Sequence, residues 1–163
     1  MFDLTPVLDQ LSVPGNFDIA VPEYFNFGVD VIDARAAEGD KTAYIWVDRS
    51  GSVVEHHSFS DLSQASTRFA NVLHQIGARK GDCAVVIMPR VPAWYEVVIG
   101  CIKAGVVAMP GTNLLTAKDI EYRINKSNAT VAVVSMEHVS KIETIKDRCP
   151  TLVHLILIGG EQD

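Results

Sequence analysis

The sequence predicts an α/β fold in which a β-hairpin is followed by βαβ units in a mostly parallel, doubly wound sheet. Two observations carry this expectation. From Cys83 to Ile158, β-rich runs and segments of helical period alternate strictly. The runs Val85-Val86-Ile87, Val131-Ala132-Val133-Val134 and Leu155-Ile156-Leu157-Ile158 are apolar throughout rather than alternating, as a sheet covered on both faces requires. At 163 residues, 48% apolar and 21% charged, the chain can bury roughly two thirds of its unfolded surface without disulfides or metals.

Reading in order, Pro22 to Phe27 leads into Val29, Val31, Ile32 and Ala36, a helical spacing that stops at Gly39. Thr42 to Val47 and Val53 to Phe59 are β-rich and joined by Asp48-Arg49-Ser50-Gly51-Ser52, which reads as a hairpin. Ser60 is the expected N-cap of a helix whose stripe is Leu62, Ala65, Phe69, Val72, Leu73 and Ile76. There follow a strand at 83–88, a helix at 92–104, a strand at 106–109 and a helix at 116–125. A strand at 130–134, a helix at 137–148 and a strand at 154–158 complete the pattern. Thr116-x-x-Asp119 has the form of a capping box. The expected organisation is an N-terminal helical segment at 1–40, a hairpin at 41–59 and the sheet at 60–163. The sequence ends soon after an apolar strand, where a covering helix is expected. This reads as a truncation and predicts self-association, a homo-oligomer that Lys at Ile156 and Ile158 should break.

The 14 Lys plus Arg against 20 Asp plus Glu give a formal net charge of −6, which argues against nucleic acid as a partner. No run approaches the roughly 18 apolar residues of a membrane span. Met1 to Gln10 carries Asp3 and Asp9 and no basic residue, so no leader is read there and a cytoplasmic location is expected. Cys83, Cys101 and Cys149 are widely spaced and read as buried free thiols.

Ligands of doubly wound sheets bind at the carboxyl ends of strands. Gly77-Ala78-Arg79-Lys80-Gly81-Asp82 precedes a strand, so it reads as a helix stop and turn rather than a phosphate loop. His56 and His57 alternate faces of a strand beside Glu55, and His74, His138 and His154 lie far apart; neither a metal site nor a catalytic constellation is read from them. Pro89-Arg90-Val91-Pro92-Ala93-Trp94-Tyr95 places a cation and two aromatics where a strand gives way to a helix. Arg90 could meet a phosphate there and Trp94 or Tyr95 a ring or acyl chain; alternatively the aromatics fill the core and Arg90 is solvated. Met109-Pro110-Gly111-Thr112-Asn113 is a second carboxyl-end loop.

Several of these segments resemble the start of an adenylate-forming acyl-CoA synthetase of the AMP-dependent synthetase/ligase superfamily. The residues concerned are Gly81-Asp82-x-Ala84-Val85-Val86-Ile87-x-Pro89 and Ile102-Lys103-Ala104-Gly105-Val106-Val107-Ala108-Met109-Pro110-Gly111-Thr112. Pro22 to Phe27, Pro89-Arg90-Val91-Pro92-x-Trp94 and Leu115-Thr116-x-x-Asp119-Ile120-x-Tyr122-Arg123-Ile124 are similar to its medium-chain branch, in which a threonine is expected where Asn113 stands. The resemblance implies part of the large N-terminal domain of an enzyme about three times longer. That enzyme would activate a fatty or aryl acid with ATP and Mg to an acyl-adenylate and transfer it to coenzyme A. The family's phosphate loop, adenine motif, ribose-binding aspartate and C-terminal lysine are not in residues 1–163, so the chain alone is expected to be inactive, with no catalytic residue, metal or cofactor of its own. Arg90, Gly111 and Thr112 are the positions that the resemblance places at the edge of the coenzyme A or acyl channel. A non-catalytic α/β interaction module, an aryl-CoA ligase and an adenylation domain remain as alternatives.

Overall fold

The computed structural model describes residues 22–159. The leader reading at Met1–Gln10 lies outside them. A π-helical segment, Phe27–Asp33, runs into one α-helical turn, α1 (Ala34–Ala37). The helix starts at Phe27 because Asn26 is extended and its Oδ1 accepts from the Gly28 amide at 3.0 Å, leaving Tyr24 and Phe25 exposed. The hairpin forms as expected from β1 (Thr42–Val47) and β2 (Val54–Ser58), antiparallel, with a register shift between Thr42 and Tyr44.

Helix α2 (Phe59–Gln75) is capped by Ser58 rather than Ser60. A capping box needs its acid three residues on, and Ser58-x-x-Asp61 has it whereas Ser60-x-x-Ser63 does not. Ser58 Oγ accepts from the Asp61 amide at 3.1 Å, and the Asp61 carboxylate accepts from the Ser58 amide at 2.9 Å. Thr116 and Asp119 cap α4 (Ala117–Ser127) in the same way. These hydrogen bonds hold both carboxyls below their ordinary value of 3.8. Their stabilising contribution is therefore complete above that pH and is lost as pH falls through the lower folded-state value. Ser58→Ala is expected to lower Tm by a few degrees at pH 7, with the gap to wild type closing as melts are repeated below pH 3.8.

The main sheet contains β3 (Cys83–Ile87), β4 (Val107–Gly111), β5 (Val131–Ser135) and β6 (His154–Ile158), all parallel in the order β4-β3-β5-β6. On one face Ala84, Val86, Val131 and Val133 meet Phe69 and Leu73 of α2 and Val97 and Cys101 of α3 (Pro92–Ala104). On the other, Val85, Ile87, Ala132 and Val134 meet Ile120 and Ile124 of α4 and Ile142 and Ile145 of α5 (Val139–Ile145). Period-2 alternation sends neighbouring residues of one strand to opposite helix layers, which is why β3 and β5 are apolar throughout.

Three sequence expectations shift. β4 runs on through Pro110, which an edge strand tolerates because a proline's missing N–H can face outward. The helix expected at 137–148 is a short α5 between two 3₁₀ turns, in a stretch rich in β-branched residues. In β6, Ile156 and Ile158 pack against the α2/α3 core, whereas Leu155 and Leu157 are 40% and 46% exposed. The residues expected to meet water were thus the covered pair, because β6 lies at the sheet edge and α4 and α5 cover β3 and β5. Cys101 and Cys149 are buried free thiols and Cys83 is half-buried; burial pushes Cys101 up to about 12, so its thiolate is scarce at neutral pH.

A half-buried ion pair ties the N-terminal helix to α2 and α3. Lys103 Nζ lies 2.5 Å from Asp33 Oδ1 and donates to Ser63 O at 3.0 Å and Thr67 Oγ1 at 2.9 Å. Asn26 Nδ2 also donates to Ile102 O at 2.9 Å.

Candidate functional site

The site is built by two loops at the carboxyl end of the sheet. After β3, Met88, Pro89 and Arg90 leave the strand, and Val91 begins the turn into α3, whose first helical residue is Pro92. Proline suits that position because its absent N–H would be unpaired there anyway. Val91 supplies no side-chain cap and the first turn of α3 holds no acid; the Trp94 amide donates to Val91 O at 2.8 Å. Arg90 is exposed beside it, its guanidinium carbon 5.7 Å from the Trp94 ring centroid. An exposed guanidinium at a strand's carboxyl end suits an anion.

After β4, the Leu115 amide donates to Thr112 O at 3.2 Å and the Leu114 amide to Thr112 Oγ1 at 3.3 Å, turning the chain toward α4. Gly111 packs against the Leu115 side chain: a Cβ there would stand 2.6 Å from Leu115 Cδ1, so a larger residue would turn that side chain aside. The two loops face each other across a groove of about 500 Å³, walled by Pro89, Arg90 and Trp94 on one side and Gly111, Thr112 and Asn113 on the other. The nominated residues Arg90, Gly111 and Thr112 thus line one groove. Trp94 and Tyr95 are half-buried: Trp94 lines the groove, and Tyr95 turns toward the hairpin.

Two residues that sequence reasoning did not single out hold these loops. Trp46 Nε1 donates to Arg90 O at 3.1 Å, and Lys141 Nζ donates to Asn113 O at 3.2 Å and Leu115 O at 2.8 Å. Both are long-range contacts without a local pattern, so only the rarity of a tryptophan in a short hairpin could have drawn notice to the first. An aromatic ladder runs from the hairpin to the groove: Tyr44 stacks on His57 at 4.7 Å, lies 4.7 Å from Tyr95, and Tyr95 meets Trp94 edge-on at 5.2 Å. Burial, with Glu96 next, pushes the Tyr44 phenol up to about 12, so it stays protonated. His57 pairs with Glu55 at 3.0 Å on the hairpin, outside the groove.

The family described as AMP-binding enzyme matches residues 32–162. The chain belongs to that family. Among curated members of similar sequence, mouse mitochondrial acyl-coenzyme A synthetase ACSM1 is 37% identical, over 97% of this chain and 30% of its own length. Human mitochondrial acyl-coenzyme A synthetase ACSM4 is 40% identical, over 86% of this chain and 25% of its own. The chain therefore spans less than a third of these AMP-binding relatives. Among solved structures, the Brucella canis acyl-CoA synthetase superposes with a TM-score of 0.76 at 21% identity, over 100% of this chain and 28% of that one. A benzoate CoA ligase from Burkholderia xenovorans gives 0.70 at 24%, over 83% and 26%. At that identity the likeness is one of fold.

The relatives correct the expected cytoplasmic location, since the two curated enzymes named above are mitochondrial. Targeting is carried by segments separate from the folded domain, so a reading of ten residues without arginine did not bear on it.

Proposed function

We infer that this chain is the opening part of a mitochondrial acid–thiol ligase that converts a fatty or aryl carboxylic acid and ATP-Mg to an acyl-adenylate and passes the acyl group to coenzyme A. In this reading the groove between the β3 and β4 loops is an edge of the coenzyme A or acyl channel. The observation that carries it is that Arg90, Trp94 and Thr112 line one groove at the carboxyl ends of β3 and β4. A guanidinium there can take two phosphate oxygens at once. Thr112 Oγ1 accepts from Leu114 and keeps its own proton to donate, and the Trp94 face offers an apolar wall.

The residues present do not fit ATP or magnesium: no phosphate loop with its lysine occurs in the sequence, and among the described residues no three acidic, histidine or cysteine groups cluster as metal ligands. No step of adenylation is therefore assigned to these residues. Coenzyme A would contribute the thiol that accepts the acyl group; Arg90 and Thr112 would hold and orient its polar portion.

The test is a chimera in which the part of mouse ACSM1 that follows the aligned region is joined after Asp163. Residues 1–163 alone are expected to give no acid-dependent ATP–pyrophosphate exchange, and the chimera to give exchange and thioester formation. Exchange by the 163-residue chain above a protein-free blank would overturn the reading, as would a folded chimera inactive on fatty and aryl acids alike.

A further inference from the structure

Arg90 sits on a short connection with little of its own to fix it: Pro89 precedes it, Val91 gives no cap, and the side chain is exposed. An exposed arginine on such a loop samples many rotamers, and ordering it on a ligand costs side-chain entropy. Two contacts from the hairpin reduce that freedom. The Trp46 indole N–H reaches 44 positions along the chain to the Arg90 carbonyl, fixing the backbone. Tyr44, two residues earlier and so on the same face of β1, stacks on Tyr95; Tyr95 meets Trp94, and Trp94 lies beneath the Arg90 guanidinium. One face of the hairpin thus holds both the main chain and the head group of the same residue.

We propose that Trp46 is a positioning residue: through its bond to the Arg90 carbonyl, the hairpin sets where the Arg90 guanidinium meets the phosphate of an incoming thiol cofactor. This rests on the groove being the coenzyme A edge. The hairpin is separate from the main sheet and carries no residue of the groove, yet it holds one groove wall in place. Trp46 never touches the ligand and acts only by holding Arg90.

The test has two arms. In the 163-residue chain, Trp46→Phe removes the N–H and keeps a ring; hydrogen–deuterium exchange is expected to rise across 89–94 and to stay at the wild-type level across α2 and β3. In the chimera, Trp46→Phe is expected to raise KM for coenzyme A roughly five-fold, the worth of one lost hydrogen bond, with ATP–pyrophosphate exchange unchanged. In an Arg90→Ala background the same change is expected to add less than about two-fold, because the residue it positions is gone. Unchanged exchange at 89–94 overturns the proposal, and so does an equal loss in the Arg90 and Arg90→Ala backgrounds, which would mark Trp46 as merely structural. If Arg90→Ala itself leaves KM for coenzyme A unchanged, the reading of the groove fails and Trp46 loses its role in the reaction, while the exchange arm still decides whether Trp46 fixes the loop.

Discussion

Lys103→Met is expected to lower stability by about 3 kcal/mol, or roughly 10 °C in Tm. The Lys103 side chain is 6% exposed, and its ammonium serves Asp33, the Ser63 carbonyl and Thr67 at once. Removing it leaves the Asp33 carboxylate near the Ser63 carbonyl with the Ser63 hydroxyl still bonded to it, a larger loss than the pair's own net worth. Asp33 is 35% exposed, so water relieves part of the penalty and the value belongs at the lower end for buried pairs. Changing Asp33→Asn as well should recover part of the loss, since no unpaired charge then remains. Thermal and urea melts of the single and double variants check this; a single variant as stable as wild type would mean that the N-terminal helix is held by its apolar contacts alone.

Gly100→Ala is expected to destabilise by roughly 2 kcal/mol although alanine is the better helix former. A Cβ at Gly100 would stand 2.7 Å from the Ser66 carbonyl oxygen and 2.9 Å from Phe69 Cδ1, where α3 crosses α2. Overpacking of this kind costs about 1 to 3 kcal/mol and is set against about 1 kcal/mol of helix propensity gained. Because one obstacle is main chain, the helices must separate rather than a side chain rotate, which places the clash near the top of its range. A Tm equal to or above that of wild type would show that the two helices can slide apart freely.

The same crossing shows where sequence reading reached and where it stopped. The stripe of α2 gave Leu62, Ala65, Phe69 and Leu73 as core because helical period alone decides them, yet it passed over the buried Ser66 and included the exposed Val72. Ser66 is buried because its hydroxyl bonds back to Leu62 O at 2.6 Å, a partner invisible to a hydrophobic pattern. The sheet was legible as parallel and doubly wound, whereas the strand order and β6's wet face depended on how the helices pack over it. In the groove, Arg90, Gly111 and Thr112 could be nominated because strand ends in such sheets collect ligands. Trp46, Lys141 and the Lys103 pair could not, since each joins segments between 26 and 70 positions apart or binds main-chain atoms whose placement only the fold determines.

The most direct measurement of the proposed thiol-side groove is the pair of KM values of the Arg90→Ala chimera, for coenzyme A and for ATP. Losing one charge-assisted contact of about 1.5 to 3 kcal/mol is expected to raise KM for coenzyme A at least ten-fold while KM for ATP and the rate of acid-dependent pyrophosphate exchange stay at wild-type values. Two unchanged KM values, or a rise confined to ATP, would contradict it and leave Arg90 as a surface residue stacked on Trp94.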